Sequence, residues 1–299
     1  MCGSDLHWLE EGSIGDVHLT KPLILGHEFA ATIASGHQKG LRVAVDPSIP
    51  CGSCRYCAEG NTNLCVALRF AGQGTEDGAL RAYMAWPAGR LHPLPDSMSD
   101  EEGALLEPLG IALHAADLGH LSRGRRVGIF GCGPIGLLIQ RVCLAEGAVV
   151  VVAADPIATR REAARRSGAA FVLDPDAVNY PQDLAEACAE GLDITFEASN
   201  DHHAIQAAVD AARPGGRVVI TGIPSDDTIL LRASSVRRKG LTLLLTRRMR
   251  EVYDRSLHLV ESGQIDLLDL VTHRYDLAEF DTAFNIALER KGLRVILRP

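Results

Sequence analysis

Short apolar segments alternate with longer stretches of helical length between about Gly124 and Leu245. The apolar segments span residues 126–130, 149–154, 171–173, 193–196, 217–221 and 241–245. The stretches between them are rich in Ala and Arg and show helical periodicity. Strands that alternate with helices in this way form a parallel sheet that is covered on both faces. The pattern therefore predicts an α/β domain in this part of the chain.

The two ends of the chain show a different pattern. Up to about Leu105 the chain is rich in Gly and Pro and carries short β-branched runs such as residues 42–45, which indicates a loop-rich β domain. Near the carboxyl end we predict helices at 253–261 and 277–288 and a closing strand at 293–297. We expect this end to return and pack on the first domain. The predicted domains are thus 1–110 together with 247–299, and 111–246.

Composition narrows the class of protein. The chain has 299 residues, of which 46% are hydrophobic, and this is enough apolar material for two cores. A net charge of −8 and a pI of about 5.8 argue against a nucleic-acid partner, which usually meets a basic surface. The longest apolar stretch, residues 148–154, is too short to cross a bilayer, so we expect no membrane partner. The first residues do not resemble a secretory signal, so we expect a reducing, cytoplasmic compartment.

Four cysteines on one short loop carry the most specific chemical signal. They are spaced C-x2-C-x2-C-x7-C, at Cys51, Cys54, Cys57 and Cys65. Four thiolates at this spacing can surround one tetrahedral Zn²⁺ and leave no open coordination position, which predicts a structural zinc. Two disulfides are the alternative for the same residues, and the expected reducing compartment disfavours them.

A glycine-rich turn follows the first predicted strand of the α/β domain. It reads Gly131-x-Gly133-x-x-Gly136, with Pro134 and Ile135 inside it, and it opens a predicted helix. Glycines at these positions permit a tight turn, a close approach of the backbone to a pyrophosphate, and close packing of helix on strand. The turn therefore predicts a dinucleotide site. The alternative is a glycine turn with no ligand.

The second predicted strand ends at Asp155, nineteen residues after Gly136. A carboxylate at this place can accept hydrogen bonds from the ribose hydroxyls of NAD and repels the 2′-phosphate of NADP. We therefore expect NAD as the cofactor, although Asp155 could also be an ordinary surface residue at a strand end. Arg160 and Arg161 follow closely, and they leave some tolerance of NADP open.

Possible ligands for a second, catalytic zinc are scattered along the first part of the chain. Cys2 lies in Cys-Gly-Ser-Asp-Leu-His, His27 and Glu28 follow Gly26, and Glu107 precedes Pro108. Each of these residues alone would have an ordinary structural explanation. Together they supply a thiolate, an imidazole and two carboxylates, which is a donor set that an open zinc site requires.

With these motifs together, the chain resembles the zinc-dependent medium-chain alcohol dehydrogenases, and most of all their polyol branch of sorbitol, L-iditol and xylitol dehydrogenases. The resemblance spans essentially the whole chain and includes Val271-Thr272-His273 near its end. It implies a Rossmann doubly wound parallel sheet plus a GroES-like β-rich catalytic domain. It also implies the oxidation of a secondary alcohol, here a polyol, to the ketone with hydride transfer to NAD. Simple alcohol dehydrogenases have a cysteine where this chain has Glu107, and the glutamate favours the polyol and threonine branches.

The resemblance also assigns roles to individual residues. The catalytic zinc ligands fall on Cys2, His27 and a glutamate, with Glu28 binding directly or through water and Glu107 as the third ligand or its close neighbour. Ser4 would take the alcohol proton, and His7 is a candidate for its release to solvent. Asp5 would accept a hydrogen bond from the ring of His27. We further expect Arg294 to reach the pyrophosphate, and the protein to form a homo-oligomer, a dimer or a tetramer.

The chain departs from the family pattern at its amino end. Family members carry several strands before the Cys-Gly-Ser-Asp motif, whereas Met1 directly precedes Cys2 here. An amino-terminal truncation would expose a sheet edge and is expected to weaken the catalytic zinc site and the activity. Three alternatives follow: a threonine 3-dehydrogenase-like enzyme, a catalytically impaired protein that binds NAD and zinc, and a zinc-free quinone or enoyl reductase. The last is disfavoured because such enzymes need neither set of zinc ligands.

Overall fold

The computed structural model describes residues 1–224 and 226–299, and their helices and strands fall into two units. The first unit comprises Met1–Gly110 and Met249–Pro299, and the second comprises Ile111–Arg248. The elements of the first stretch are short, apart from the helix that ends it: α1 (Gly3–Glu10), β1 (Ser13–Ile14), β2 (Val17–His18), β3 (Ala30–Thr32), β4 (Arg42–Val45), β5 (Ser48–Ile49), α2 (Arg55–Ala58), β6 (Arg69–Phe70), β7 (Leu91–Pro93) and α3 (Asp100–Leu118).

The second unit alternates strands and helices without interruption. In chain order its elements are β8 (Arg126–Phe130), α4 (Pro134–Ala145), β9 (Val149–Ala154), α5 (Ala158–Arg166), β10 (Phe171–Leu173), α6 (Tyr180–Ala187), β11 (Leu192–Glu197), α7 (His202–Ala211), β12 (Ala212–Ile220), α8 (Ala233–Lys239) and β13 (Thr242–Leu245). The chain then returns to the first unit with α9 (Tyr253–Glu261), β14 (Val271–Asp276), α10 (Phe280–Leu288) and β15 (Arg294–Arg298).

The strands of the second unit form one parallel sheet in the order β10-β9-β8-β11-β12-β13. The apolar side chains Val127, Ile129 and Phe196 are almost completely buried in it, because helices cover both faces. The chain winds outward from β8 to β10 and then returns to begin again at β11. The order therefore reverses between β8 and β11, and ligands of such sheets bind at the carboxyl ends of the strands at this point. The predicted α/β class is confirmed.

The first unit is built from small sheets. Strands β3, β4 and β7 form an antiparallel sheet, and β14 and β15 pair in parallel. The buried Tyr253 of α9 donates its hydroxyl to the backbone oxygen of Val45 at 2.9 Å, which ties the carboxyl-terminal stretch to β4. Of the helices in the part of the chain that is described, none is both long enough and apolar enough to cross a membrane.

Candidate metal and cofactor sites

The four cysteines of the 51–65 loop lie together. One sulfur from each of Cys51, Cys54, Cys57 and Cys65 falls within 4.8 Å of the others. The short helix α2 carries Cys57 and begins directly after Cys54, while a 3₁₀ turn at Thr62–Leu64 brings Cys65 back to the same place. All eight cysteines of the chain lie in the described part, and they are free thiols. The arrangement fits one tetrahedral ion.

The protein environment already favours thiolate at part of this loop. Backbone N–H groups of Ser53 and Cys54 lower the pKa of Cys51 to about 6. Burial and a hydrogen bond with Cys54 raise the pKa of Cys57 to about 12. The sulfurs of Cys54 and Cys57 lie 3.5 Å apart, and two negative charges at this distance would repel each other. A divalent cation would relieve this repulsion, because zinc binds cysteine as thiolate.

A second cluster joins Cys2, His27 and Glu28, whose ligand atoms also lie within 4.8 Å of one another. Cys2 is the residue before α1, and His27 follows Gly26, whose φ of +95° only glycine adopts at low cost. The His27 ring is buried beside Phe70, with the ring centroids 5.5 Å apart. Cys2 and His27, which are 25 positions apart in the sequence, are thereby brought to one point.

Asp5 anchors this cluster from the first turn of α1. Its carboxylate accepts hydrogen bonds from the backbone N–H of Cys2 at 3.0 Å and of Gly26 at 3.2 Å. It also lies 3.5 Å from Nδ1 of His27, at the outer limit of a hydrogen bond. Burial alone would raise the pKa of Asp5, but His27 and the Cys2 N–H lower it to about 2. Asp5 is therefore a buried carboxylate that binds the backbone of Cys2 and Gly26 and lies beside the ring of His27, and its role in orienting that ring stays a prediction.

The charges around His27 attract a cation. Burial opposes protonation of the ring, but the neighbouring Cys2 and Asp5 outweigh it and raise the pKa of His27 well above its ordinary value. With the sulfur of Cys2 and the carboxylates of Asp5 and Glu28 beside one imidazole, the cluster is electrostatically suited to a positive ion. The donor set of sulfur, nitrogen and oxygen is one that Zn²⁺ accepts.

Glu28 is held by a partner from the far end of the chain. Nη1 of Arg294, on β15, lies 2.8 and 2.7 Å from the two carboxylate oxygens of Glu28. Both side chains are only 3% exposed. Burial raises the pKa of Glu28, but the facing Arg294 outweighs this and lowers it. The structure thus shows Arg294 as the ion-pair partner of Glu28, while its contact with a pyrophosphate stays a prediction.

Glu107 lies near the cluster without belonging to it. Among the described residues, the group with ligand atoms within 4.8 Å contains Cys2, His27 and Glu28. The Glu107 side chain on α3 is buried, and burial raises its pKa to about 7, with His27 acting in the opposite direction and Glu28 in the same direction. Because His27 and Glu28 both act on its pKa, Glu107 lies in their neighbourhood. Its role as a ligand stays a prediction.

The two predicted proton carriers lie on α1. The Ser4 hydroxyl is 3.3 Å from the sulfur of Cys2. His7 follows one helical turn later, and its Nδ1 is 3.0 Å from a carboxylate oxygen of Glu11 at the exposed end of the helix. Helix α1 therefore holds the Ser4 hydroxyl beside the cluster of Cys2, His27 and Glu28, and the His7 imidazole nearer to the surface.

The glycine turn lies at the carboxyl end of β8. Gly131 has a φ of +100°, and the helix α4 begins at Pro134 with Gly133 as its amino-terminal cap. A side chain at Gly136 would place Cβ 1.8 Å from the Gly131 carbonyl oxygen, so only glycine fits there. A Cβ at Gly133 would meet nothing closer than Nη1 of Arg160 at 3.5 Å, and its backbone is open to a ligand.

Asp155 closes the turn from the end of β9. Its carboxylate accepts hydrogen bonds from the backbone N–H of Cys132 and of Ile157, both at 2.8 Å. Each carboxylate oxygen has a second lone pair, so these bonds leave acceptor capacity for ribose hydroxyls. Arg161 is already engaged, because it donates to the Asp155 backbone oxygen and pairs with Asp174 at 2.8 Å.

One buried carboxylate in this region is absent from the sequence-based candidates. Glu197 ends β11 and is 0% exposed. A signal for it exists in the sequence, since it is a lone charged residue directly after the apolar strand predicted at 193–196, as Asp155 is after 149–154. Both therefore stand at the carboxyl edge of the parallel sheet, where ligands bind.

Comparisons with known proteins agree with this arrangement. Residues 134–262 match the family described as "Zinc-binding dehydrogenase", and residues 1–96 match "Alcohol dehydrogenase GroES-like domain". A curated relative, sorbitol dehydrogenase of Bacillus subtilis (strain 168), is 34% identical over 310 aligned positions, which cover 100% of this chain and 87% of the relative.

Solved structures of similar proteins include cofactor complexes. A zinc-binding dehydrogenase of Sinorhizobium meliloti 1021 bound to NADP has a TM-score of 0.89 and 28% identity, with 100% of this chain and 89% of that chain covered. An alcohol dehydrogenase of E. coli CFT073 complexed with NADH has a TM-score of 0.91 and 27% identity, with the same coverage. The zinc-ligand clusters, the glycine turn on a doubly wound sheet and the full-length similarity together place this chain in the zinc-dependent medium-chain alcohol dehydrogenase family, with a close likeness to its polyol branch.

Proposed function

We propose that this protein oxidises a secondary alcohol of the polyol class to the ketone, with NAD as hydride acceptor and with one catalytic and one structural zinc. The observation that carries the proposal is the convergence of Cys2, His27 and Glu28 within 4.8 Å. The four-cysteine loop supplies the second site, and the glycine turn with Asp155 supplies a dinucleotide site. The 34% identity to a sorbitol dehydrogenase supports the polyol as substrate.

The residues of the cluster and their neighbours have different proposed roles. Cys2 and His27 would hold the catalytic ion, together with Glu28 or Glu107. A zinc bound there lowers the pKa of a substrate hydroxyl, as it does for water. We expect Ser4, whose hydroxyl is 3.3 Å from the Cys2 sulfur, to receive the alcohol proton, and His7 to release that proton to solvent. Asp5 keeps the ring of His27 and the backbone of Cys2 in place.

Asp155 supports NAD rather than NADP. It is 3% exposed, and its two carboxylate oxygens are fixed by the N–H groups of Cys132 and Ile157. A fixed negative charge beside the ribose favours hydroxyls and repels a 2′-phosphate. Arg160, close to Gly133, is the residue that would offset part of this repulsion, so we expect a preference for NAD with weak use of NADP.

The experiment is an assay of NADH formation by the zinc-loaded protein with sorbitol, xylitol, L-iditol and L-threonine. We expect turnover with one or more of the polyols. Turnover with threonine alone would assign the protein to the threonine branch, and no turnover with any of the four would contradict the proposal. Cys2→Ser and His27→Ala are each expected to lower turnover more than about 100-fold, since both remove a ligand.

A matched control is available in the second unit. Cys188 is a half-buried free thiol that lies outside the zinc-ligand clusters of the described residues. Cys188→Ser removes the same sulfur chemistry as Cys2→Ser and should leave turnover within about twofold of the unchanged protein. An equal loss in both variants would mean that the Cys2 effect is not a metal effect.

We also propose that the protein is a homo-oligomer, a dimer or a tetramer. Strand β13 ends the parallel sheet, and Leu245 on it is 61% exposed. An edge strand with an exposed apolar side chain is suited to pairing with a second copy. Light scattering should give a mass of at least two chains, and Leu245→Lys should reduce it. A monomeric mass for the unchanged protein would contradict the proposal.

A further inference from the structure

The buried carboxylate of Glu197 collects hydrogen bonds from two different loops. Its Oε1 accepts from the backbone N–H of Ser199 at 2.6 Å, from the Ser199 hydroxyl at 2.8 Å and from the N–H of Asn200 at 2.9 Å. Its Oε2 accepts from the N–H of Gly222 at 3.3 Å. The first three donors follow β11, and the last follows β12. One side chain thus joins the carboxyl ends of two neighbouring strands.

The loop that Glu197 holds lies against the glycine turn. A Cβ on Gly131 would be 2.7 Å from the carbonyl carbon of Ala198 and 2.8 Å from Cβ of Ser199. Ala198 in turn donates its N–H to the Phe130 oxygen, at 2.8 Å, at the end of β8. The position of the 198–200 loop therefore determines the space beside the turn at the point where the strand order reverses.

This arrangement has an energetic cost that an apolar residue would avoid. Burial raises the pKa of Glu197, and the donors on Ser199, Asn200 and Gly222 act in the opposite direction. The loop also holds Asn200 at a φ of +66°, in the left-handed region. Such groups persist where the surrounding structure determines them strongly, and they concentrate at functional sites.

We propose that Glu197 is a positioning residue that shapes the two loops which receive the nicotinamide half of the cofactor. A doubly wound sheet binds a dinucleotide with one mononucleotide over each half. Asp155 belongs to the half that begins with β8 and β9, where the adenosine ribose is recognised, and Glu197 belongs to the half that begins with β11. This inference rests on the proposed function, because it requires that the second unit binds NAD.

The test compares two ligands on Glu197→Gln. The amide of Gln can keep the acceptor that faces Ser199 and Asn200, but its NH₂ would then face the N–H of Gly222. The side-chain bridge between the loops is then lost, while the backbone oxygen of residue 197 keeps its contacts with Thr221 and Gly222. We expect the dissociation constant of NADH to rise about tenfold, while that of ADP-ribose, which lacks the nicotinamide, stays within about twofold. Calorimetry or NADH fluorescence, with competition by ADP-ribose, measures both.

Asp193, at the other end of the same strand, provides a matched control. Its carboxylate also gathers several donors, namely the N–H of Arg126 at 3.0 Å, Nη1 of Arg125 at 3.1 Å and Nε of Arg213 at 2.8 Å. Asp193→Asn should lower stability without changing the ratio of NADH to ADP-ribose affinity.

Ser199→Ala provides a second test of Glu197 if Glu197→Gln does not fold, because it removes only one of the hydrogen-bond donors. We expect it to weaken NADH binding about threefold, again with ADP-ribose unchanged.

The possible results distinguish a failure of the proposed function from a failure of the role proposed for Glu197. If the unchanged protein binds neither NADH nor ADP-ribose, the proposed function fails and this inference fails with it. If it binds both but Glu197→Gln weakens both equally, or weakens neither, only the role of Glu197 is overturned. A change in the affinity ratio for Asp193→Asn that matches the change for Glu197→Gln would also overturn it. A selective loss of NADH binding in Glu197→Gln and Ser199→Ala supports it.

Discussion

At the scale of single residues, two glycines of one turn serve different purposes. Gly136 is required by the fold, since a Cβ there would lie 1.8 Å from a carbonyl oxygen, whereas Gly133 has open space. We predict that Gly136→Ala costs about 2–3 kcal/mol of stability. Gly133→Ala should unfold within about 2 °C of the unchanged protein but raise the KM for NAD about tenfold or more. Thermal unfolding and cofactor kinetics check the pair, and an equal stability loss in both variants would contradict it.

A second prediction at this scale concerns Asp5. Its carboxylate contacts the N–H of Cys2 and of Gly26 and lies 3.5 Å from the ring of His27. Asp5→Asn keeps the size of the side chain but removes its charge, so the ring loses its orientation. We expect zinc affinity or turnover to fall about 10–100-fold, which is the usual effect of removing a group that orients a metal-binding histidine. Glu11→Gln, beside His7 at the exposed end of α1, should change zinc affinity by less than about twofold.

Sequence motifs identified much of the candidate site, but not the contacts that hold it. The Cys-Gly-Ser-Asp and Gly-His-Glu motifs pointed to Cys2, His27 and Glu28, which the structure brings together. The pairing of Glu28 with Arg294 joins residues at opposite ends of the chain, and no local spacing encodes such a contact. Glu107 illustrates the same limit, because its distance from the cluster depends on how α3 packs.

At the scale of elements, Glu101 joins the start of α3 to the strands β14 and β15. It accepts two hydrogen bonds from Arg274, at 2.8 and 2.7 Å, and a further one from Arg298. Hydrogen bonds from Arg274 lower the pKa of Glu101 below its ordinary value of 4.5, although burial opposes them. A lowered pKa in the folded state adds stability above pH 4.5, and this stability is lost as the pH falls through that value toward the lower pKa.

We therefore predict that Glu101→Gln lowers the free energy of unfolding by about 1 kcal/mol at pH 7, a modest figure because both arginines are partly exposed. The difference should shrink as the pH falls below about 4. Urea unfolding at several pH values measures it. Asp100→Asn, which breaks the exposed pair with Arg42, is the neighbouring control and should cost less than about 0.5 kcal/mol. A penalty for Glu101→Gln that does not depend on pH would contradict the prediction.

Element boundaries were predictable where apolar runs end abruptly. Strands β8, β9 and β10 match the predicted ranges, because a glycine or a charged residue directly follows each run, namely Gly131, Asp155 and Asp174. Strand β12 begins at Ala212 rather than near Arg217. Pro214 and the two glycines after it are typical of a turn, but in the structure they belong to the strand. The helix predicted at 277–288 divides into a 3₁₀ turn at Leu277–Glu279 followed by α10, and its capping box at Asp276 and Glu279 explains the earlier start.

At the scale of the whole molecule, the four-cysteine loop should depend on its metal. Of residues 51–65 only Asn63 and Cys65 are buried, so the loop has little apolar contact of its own. Structural zinc supplies folding free energy in such cases. In the unchanged protein, one zinc per chain should survive dialysis against a mild chelator. We predict that Cys54→Ser lacks this zinc and that its unfolding temperature is lower. Cys2→Ser should retain that zinc. Elemental analysis and thermal unfolding test this, and unchanged zinc content in Cys54→Ser would contradict it.

The division of the chain has a consequence for how its chemistry can be recombined. The glycine turn, Asp155 and Glu197 all fall in the uninterrupted stretch Ile111–Arg248, while every predicted zinc ligand lies outside it. A chimera that exchanges this stretch for the counterpart from an NADP-using relative needs only two joins. The chimera would then take its preference for NAD or NADP from the exchanged stretch, while all predicted zinc ligands would still come from this chain.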